Sequence, residues 1–229
     1  MKHVDIGEGT PVVFLHASSG NSRMWEHQIP AFTAAGYRFI AYDRGGQAAA
    51  ADELEALATR LGIERFHLVG TAAGGIAAVD YALSFPLRLR ALVIANSIVG
   101  VQDEDYLQMT RRLRPSPQFE ALPVEVRELG PSYRAANPAG AQRWKELSGH
   151  MAALATRNRI TFAALETIKV PTLLITGDAD LYTPPSVLRL FAARIRDSAP
   201  VVVPECGHSA YWEQPEIFNR AVLDFIKGK

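Results

Sequence analysis

The sequence predicts an α/β protein with a mostly parallel, doubly wound sheet and an inserted helical segment. Short apolar runs recur along the chain, helical stretches lie between them, and one long stretch contains no such run. The runs are continuous rather than alternating, which is typical of strands covered on both faces. Strands that alternate with helices indicate a parallel sheet wrapped by helices on both sides.

Six apolar runs predict buried strands, at residues 12–16, 38–42, 66–70, 91–95, 172–176 and 200–203. Helical spacing of apolar residues predicts helices at 51–61, 75–84, 186–196 and 215–227. Gly62 is placed to end the first of these helices, and Pro215 is a favourable first-turn residue for the last. These elements define a core of residues 1–96 and 167–229.

Residues 97–166 form the stretch without a strand-like run, which we call the insertion. It contains helical patches at 103–113, 124–129 and 141–155, separated by five prolines. Ligands of such sheets bind outside the carboxyl ends of the strands, where an insertion of this kind stands. We therefore expect a helical lid, with a purely structural excursion as the alternative.

Composition excludes several function classes. Lys plus Arg and Asp plus Glu both number 24 in 229 residues, which gives no sign of a nucleic-acid partner. No run approaches the ~18 apolar residues of a membrane span, and the first residues lack an apolar signal core. Cys206 is the single cysteine, so no internal disulfide is available. We expect a cytoplasmic protein that binds a small-molecule substrate and neither nucleic acid nor membrane, of unspecified oligomeric state.

The most informative stretch runs from Leu68 to Gly75, with the sequence LVGTAAGG. A predicted strand is followed by a glycine, three residues, two glycines and a predicted helix. This is the pattern of the G-x-S-x-G nucleophile elbow, with Ala72 at the serine position. Side chains at Gly70 and Gly74 would collide with the neighbouring strand and helix. A phosphate loop is disfavoured because no Lys follows the glycines, and the spacing does not fit G-x-G-x-x-G.

Further motifs flank this elbow in a specific order. His16-Ala17-Ser18 follows the first strand, Gly177-Asp178-Ala179-Asp180 follows the fifth, and Gly207-His208 follows the last. Elbow, acid, then histidine is the chain order of α/β-hydrolases. The sequence resembles the α/β-hydrolase fold superfamily over nearly its whole length. Its motifs fit the broad group of epoxide hydrolases, haloperoxidase-like esterases, lactonases and C–C hydrolases.

The resemblance implies roles for individual residues. Asp180 matches the triad acid, His208 the base and Ala72 the nucleophile position, while Ala73 and Ser18 match the two oxyanion-hole N–H donors. Asp178 is a rival acid, but the position of Asp180, three residues after Gly177 and four before Pro184, fits the family pattern better. Asp180 would hold the imidazole in its productive tautomer.

Other residues near these motifs are weaker candidates. Trp25, Ala17 and Tyr211 are predicted to contact substrate, with core packing as the alternative for the two aromatic residues. Cys206 is interpreted as a small packing residue. Thr71 is expected to point away from the tip of the elbow.

The chain departs from the family pattern at four places. The nucleophile is alanine, and Ala17 replaces the glycine of the usual His-Gly pair. Gly46 leads almost directly into the helix at 51, which suggests a deletion of about ten residues, and the amino-terminal hairpin is short. These truncations predict a more open site.

Ala72 leaves two explanations: an engineered loss of serine, or a natural protein that works without one. Since Asp180 and His208 are retained, our first hypothesis is a hydrolase of a small ester, lactone or related carbonyl compound. The second is a lyase, isomerase or cofactor-free carbon-acid catalyst that uses His208 as its base. The third is a non-catalytic small-molecule binder. No metal-ligand spacing is present, and we expect neither a metal nor a cofactor.

Overall fold

The computed structural model describes residues 2–46, 48–149 and 153–229, which fold around one sheet. The sheet has seven strands in the order β1-β3-β2-β4-β5-β6-β7. They are β1 (His3–Ile6), β2 (Thr10–Leu15), β3 (Tyr37–Tyr42), β4 (Phe66–Thr71), β5 (Leu89–Ala95), β6 (Thr172–Gly177) and β7 (Ser198–Val203). Only the β1–β3 pair is antiparallel, so the predicted mostly parallel sheet is confirmed.

Helices cover both faces of this sheet, as the apolar runs predict. In chain order they are α1 (Gln28–Ala34), α2 (Ala50–Arg60), α3 (Ala73–Ser84), α4 (Glu104–Leu113), α5 (Val124–Glu128), α6 (Pro131–Ala136), α7 (Pro138–Leu147), α8 (Phe162–Leu165), α9 (Pro185–Ala192), α10 (Ala210–Glu213) and α11 (Pro215–Ile226). Gly62 has φ +66°, a left-handed conformation suited to a glycine that ends α2.

Two hydrophobic cores lie on opposite faces of the sheet. Successive strand residues alternate between them: Leu68 packs in the core that contains α2, α3 and α9, whereas Val69 packs in the core that contains α1 and α11. Both residues are fully buried. This double coverage explains why the strand sequences are continuously apolar.

The observed elements differ from the sequence expectations in several details. The amino-terminal strand does not form a hairpin with its neighbour in sequence, since β1 pairs with β3 at the sheet edge. Helices α1, α6, α8 and α10 were not anticipated, because they are too short to show a clear apolar period. The helix predicted at 141–155 is observed as α7, which begins earlier and ends at Leu147. Residues 150–152 of that prediction lie outside the described residues.

Helices α4 to α8 all lie between β5 and β6, and several contacts tie this insertion to the core. The Asp80 carboxylate on α3 accepts hydrogen bonds from the backbone N–H groups of Arg157 and Asn158 at 2.9 and 2.8 Å. The N–H of Gly149 donates to the Ser19 carbonyl at 3.0 Å, beside the end of β2. The insertion is thus fastened over the carboxyl ends of the strands. Of the helices described, none has the length and apolar character needed to cross a membrane.

Candidate active site

Ala72 occupies a strained turn between β4 and α3. Its backbone has φ +50° and ψ −116°, a conformation that costs a non-glycine residue about 1–3 kcal/mol. Two contacts from β5 and the loop after it hold the turn: the Ala72 N–H donates to the Ala95 carbonyl at 3.0 Å, and the Ser97 hydroxyl donates to the Ala72 carbonyl at 2.6 Å. The residue at this tip is therefore positioned by the sheet itself.

The glycines around the turn have the steric role that the sequence predicts. A Cβ at Gly70 would lie 2.2 Å from the Gly74 carbonyl oxygen, and one at Gly74 would lie 2.1 Å from the Leu15 carbonyl oxygen. A Cβ at Gly75 would lie 2.6 Å from the Cβ of Ser97. The first turn of α3 therefore packs directly against the ends of β2 and β4.

His208 and Asp180 form a buried pair at the ends of β7 and β6. The imidazole Nδ1 lies 2.9 Å from each oxygen of the Asp180 carboxylate. That carboxylate also accepts hydrogen bonds from the Thr183 N–H at 2.9 Å and the Asn96 amide at 3.1 Å. Nδ1 thus carries the proton that faces the carboxylate, and Nε2 is left as the basic nitrogen.

Electrostatics favour the charged form of both members of this pair. Burial alone would raise the pKa of Asp180, but the His208 charge and the surrounding hydrogen bonds hold that pKa below its ordinary value. Burial alone would lower the pKa of His208, and the Asp180 carboxylate reverses this effect and raises it above its ordinary value. The pair therefore stabilises an imidazolium whenever Nε2 takes up a proton.

A second buried carboxylate holds the loop that carries His208. Glu213 on α10 accepts hydrogen bonds from the N–H groups of Gly207 at 3.0 Å and Ser209 at 3.1 Å, on either side of the histidine. It also accepts one from the Gly130 N–H at 2.7 Å, in the insertion. The His208 N–H donates to the Glu128 carbonyl at 3.0 Å. The histidine loop and the insertion are thus joined at two points.

Asp178, the rival acid, serves a different purpose. Its carboxylate accepts hydrogen bonds from the N–H groups of Glu205 and Cys206, both at 3.1 Å, and so closes the turn after β7. Cys206 is buried, and burial together with nearby carboxylates raises the pKa of its thiol. It does not line the cavity described below.

The start of α3 and the loop after β2 border the same region. Ala73 is the first residue of the 12-residue helix α3, where N–H groups lack intrahelical partners and carry partial positive charge. Ala17 and Ser18 lie in the loop after β2. His16 orders this loop, because its Nδ1 lies 2.6 Å from the Ala17 carbonyl and its Nε2 accepts a hydrogen bond from the Arg44 N–H at 3.2 Å.

A cavity of about 340 Å³ brings these groups together. Ala72, Ala73 and His208 line it from the core, and Ala17, Ser18 and Ser19 line it from the loop after β2. The remaining wall consists of Ile76, Ile98, Val124, Arg127, Glu128, Leu154 and Tyr182. The cavity is therefore largely apolar, with an imidazole, a carboxyl, a phenol and a guanidinium among its polar groups.

Sequence reasoning missed three polar residues of this wall: Arg127, Glu128 and Tyr182. The Tyr182 ring packs against the His208 imidazole with centroids 4.4 Å apart, and its hydroxyl accepts a hydrogen bond from Arg127 Nη1 at 3.4 Å. The Arg127 Nε is buried and has no hydrogen-bond partner among the described residues. For Arg127 and Glu128 the signal in the sequence was the helical patch at 124–129, and Tyr182 lies two residues after Asp180. Neither pattern reveals the direction of a side chain.

Trp25 and Tyr211, which the sequence suggested as substrate contacts, lie away from this cavity wall. Their exposed fractions are 0% and 2%, and their rings pack together with centroids 4.8 Å apart. In this conformation neither offers surface to a ligand, because both fill the core on the α1 and α11 side of the sheet. Of the three predicted substrate contacts, the structure brings only Ala17 to the cavity.

Within the described part of the chain, no cluster of three or more His, Cys, Asp or Glu side chains is arranged to hold a metal ion. The chemistry that the arrangement can perform is acid–base chemistry. A buried imidazole with a paired carboxylate lines a largely apolar cavity together with residues at the start of α3 and in the loop after β2.

Comparison with known proteins gives a consistent match over the chain. A sequence model of the family described as "Alpha/beta hydrolase family" matches residues 12–221. A 2-hydroxy-6-oxononadienedioate/2-hydroxy-6-oxononatrienedioate hydrolase 2 of Pseudomonas putida is 30% identical, with 97% of this chain and 90% of the relative covered. The corresponding hydrolase of Comamonas testosteroni is 28% identical, with 97% and 89% covered. The structure of a thermophilic esterase from Thermogutta terrifontis superposes with a TM-score of 0.83 at 26% identity, covering 99% of this chain and 92% of the esterase.

The alignments with the two hydrolases also bear on the length of this chain. They extend over 259 and 257 residues, more than the 229 residues of this chain, so the relatives carry segments that it lacks. This agrees with a shortened chain, as the brief connection between Gly46 and α2 suggests.

Proposed function

This chain belongs to the α/β-hydrolase family, and we propose that it hydrolyses a small ester, lactone or related carbonyl compound without a serine nucleophile. Ala72 stands at the nucleophile position and contributes only a methyl group. The proposed reaction is therefore the direct attack of a water molecule on the substrate carbonyl, within the cavity that His208, Ala72 and Ala73 line.

His208 is the general base of the proposed reaction. Its Nδ1–H donates to Asp180, which leaves Nε2 free to take a proton from water. The Asp180 carboxylate stabilises the imidazolium that forms. A water molecule that occupies the space a serine hydroxyl would fill lies beside both the imidazole and the bound carbonyl.

The N–H groups of Ala73 and Ser18 form the proposed oxyanion hole. As hydroxide adds to the carbonyl carbon, negative charge develops on the carbonyl oxygen. The positive end of α3 and the loop after β2 would stabilise this charge, and removing one such donor elsewhere costs about 10²–10³ in rate. The insertion, as a lid over the apolar cavity, excludes bulk water and strengthens these interactions.

Two observations support a small carbonyl substrate that carries an anionic group. The cavity of about 340 Å³ accommodates a small molecule, and Arg127 in its wall carries a guanidinium that suits a carboxylate. The relatives from Pseudomonas putida and Comamonas testosteroni are named as hydrolases of dienedioates and trienedioates, which are carboxylated carbonyl compounds.

The observation that carries the proposal is the buried His208–Asp180 pair, whose imidazole lines the same cavity as Ala72. We test it by assaying the wild type, His208→Ala and Ala72→Ser with 4-nitrophenyl acetate and a small lactone. We expect slow wild-type turnover that His208→Ala lowers by about 10²–10³-fold and Ala72→Ser raises by about 10²-fold or more. Ser22→Ala, which changes a serine outside this cavity, is the control.

The two alternative functions give different outcomes in the same assay. A carbon-acid catalyst or lyase that uses His208 would show no hydrolysis with either ester or lactone and no gain in Ala72→Ser. Its turnover of a ketone substrate would still depend on His208. A small-molecule binder would show ligand affinity without turnover, and that affinity would survive both substitutions.

A further inference from the structure

We propose that Glu128 is a second acid–base group of this site, which donates a proton to the leaving atom as His208 activates water. This inference rests on the proposed hydrolytic function and extends it to a residue of the insertion. No feature of the elbow, acid and histidine motifs identifies Glu128. Its placement in the cavity wall is what assigns it this role.

Glu128 lies in the wall of the proposed reaction space. Glu128 is the last residue of α5 and lines the cavity together with His208 and Ala72. Its backbone carbonyl accepts the His208 N–H at 3.0 Å, which fixes the residue beside the histidine loop. The insertion is anchored two residues further on, where the Gly130 N–H donates to Glu213 at 2.7 Å.

The Glu128 carboxyl is free to act on a ligand. Among the described residues, none forms a hydrogen bond or an ion pair with it, although its neighbour Arg127 is bonded to Tyr182. The buried carboxyls of Asp180 and Glu213, in contrast, are saturated with donors. A largely enclosed carboxyl without a hydrogen-bond donor is costly in its charged form, so burial here favours the protonated acid.

The charges that face Glu128 act in both directions. Burial raises the pKa of its carboxyl above the ordinary value, and Asp180 raises it further, whereas His208 and Arg127 lower it. Tyr182 is the other titratable group in this wall, and Glu128 raises the pKa of its phenol. Because Glu128 in turn raises the pKa of His208, the two groups titrate as a coupled pair.

The proton balance of the proposed reaction closes within this pair. His208 Nε2 takes one proton from water, and the hydroxide oxygen forms a bond to the carbonyl carbon. When the tetrahedral intermediate collapses, the bond to the leaving oxygen breaks and the Glu128 carboxyl donates its proton to that oxygen. The imidazolium of His208 then returns its proton to the Glu128 carboxylate through a water molecule, which restores the starting state.

The test compares Glu128→Gln with Glu125→Gln on two esters. Glu125 lies on the same helix, is also a glutamate and is not part of this cavity wall, so it is the matched control. General acid catalysis matters for a poor leaving group and hardly at all for a good one. We expect Glu128→Gln to lower kcat/KM for ethyl acetate by about 10²–10³-fold and for 4-nitrophenyl acetate by less than about threefold.

The pH profile gives a readout that a structural role would not change. The active form has Glu128 protonated and His208 neutral. A plot of kcat/KM for ethyl acetate against pH should therefore be bell-shaped in the wild type. Glu128→Gln should lose the alkaline limb, because glutamine has no proton to lose, and should keep an acid limb that reports His208 alone. An equal loss on both esters with an unchanged bell-shaped profile would overturn the proposal, as would full activity on both.

A titration that needs no turnover separates this proposal from the proposed function. In protein labelled with ¹³C at glutamate carboxyls, the Glu128 resonance is assigned by its absence in Glu128→Gln. We expect it to titrate above 4.5, and higher still in His208→Ala, which lacks the charge that lowers its pKa. Esterase activity that does not depend on His208 would refute the hydrolytic function. In that case a coupled titration would still support the acid–base pair, and a Glu128 that titrates like Glu125 would overturn it.

Discussion

Glu213 joins the insertion to the loop that carries His208, and replacing it by glutamine should weaken both stability and activity. Its two carboxylate oxygens accept hydrogen bonds from the N–H groups of Gly207, Ser209 and Gly130. In Glu213→Gln one oxygen becomes an NH₂ donor. This donor must face N–H groups, and at least one of them loses its acceptor.

The magnitude follows from these contacts. A buried donor without a partner costs about 1–3 kcal/mol, and hydrogen bonds to a charged acceptor contribute about 1.5–3 kcal/mol each. Part of this loss is offset, because burial of the carboxylate raises the pKa of Glu213 and so disfavours its charged form. We expect a net loss of about 2 kcal/mol in the free energy of unfolding. The rate should fall about tenfold, because the loop that holds His208 relaxes.

Urea denaturation and steady-state kinetics measure the two effects. At about 2–3 kcal/mol per M of urea, the midpoint should fall by nearly 1 M. Glu216→Gln, which changes an exposed carboxylate on the next helix, should leave the midpoint and the rate as in the wild type. If Glu213→Gln unfolded at the wild-type midpoint and kept its rate, the carboxylate would not be the link between the insertion and the histidine loop.

Two further predictions concern buried polar groups. Asn96→Ala removes an amide that donates to the Asp180 carboxylate and to the Gly207 carbonyl, each at 3.1 Å. Because this amide positions Asp180, kcat should fall about tenfold with KM little changed. An unchanged kcat in steady-state assays would contradict this positioning role. The pKa of His67, which is buried within β4, is lowered by burial from 6.5 to about 4, so the unfolded chain binds a proton that the folded chain excludes as pH falls from 6.5 towards 4. His67→Gln should therefore remove about 2 kcal/mol of the loss in unfolding free energy over this pH range, allowing for solvent screening. Urea denaturation at a series of pH values measures this. If the unfolding free energies of the two proteins fell in parallel with pH, the prediction would be refuted.

The sheet could be predicted because burial on both faces constrains the residues within each strand. Strands such as 66–71 are buried on both faces, so most of their residues are apolar or small, and this gives a nearly continuous run that sequence alone reveals. The edge strand β1 was not predicted as a partner of β3, because its residues are largely exposed and carry no apolar pattern.

Some residues of the candidate site could likewise be predicted from the sequence and others could not. Asp180 and His208 could be proposed because each follows a strand end within a short motif, and parallel strands bring those ends to one edge of the sheet. Glu128 could not be proposed, because it comes from the insertion, where position depends on how helices pack over the core. The sequence left open whether Trp25 and Tyr211 fill the core or contact substrate, because proximity to a motif does not determine which face of an element a side chain occupies.

The central claim is that water attacks the substrate directly and no acyl-enzyme forms on this chain. Intact-protein mass spectrometry tests it most directly, on protein quenched during turnover of 4-nitrophenyl acetate, with His208→Ala as the background for surface acetylation. The wild type should carry no acetyl group above that background, whereas Ala72→Ser should carry one, mapped to position 72. A His208-dependent acetyl adduct on the wild-type chain would contradict the account, because it would reveal another nucleophile in the cavity.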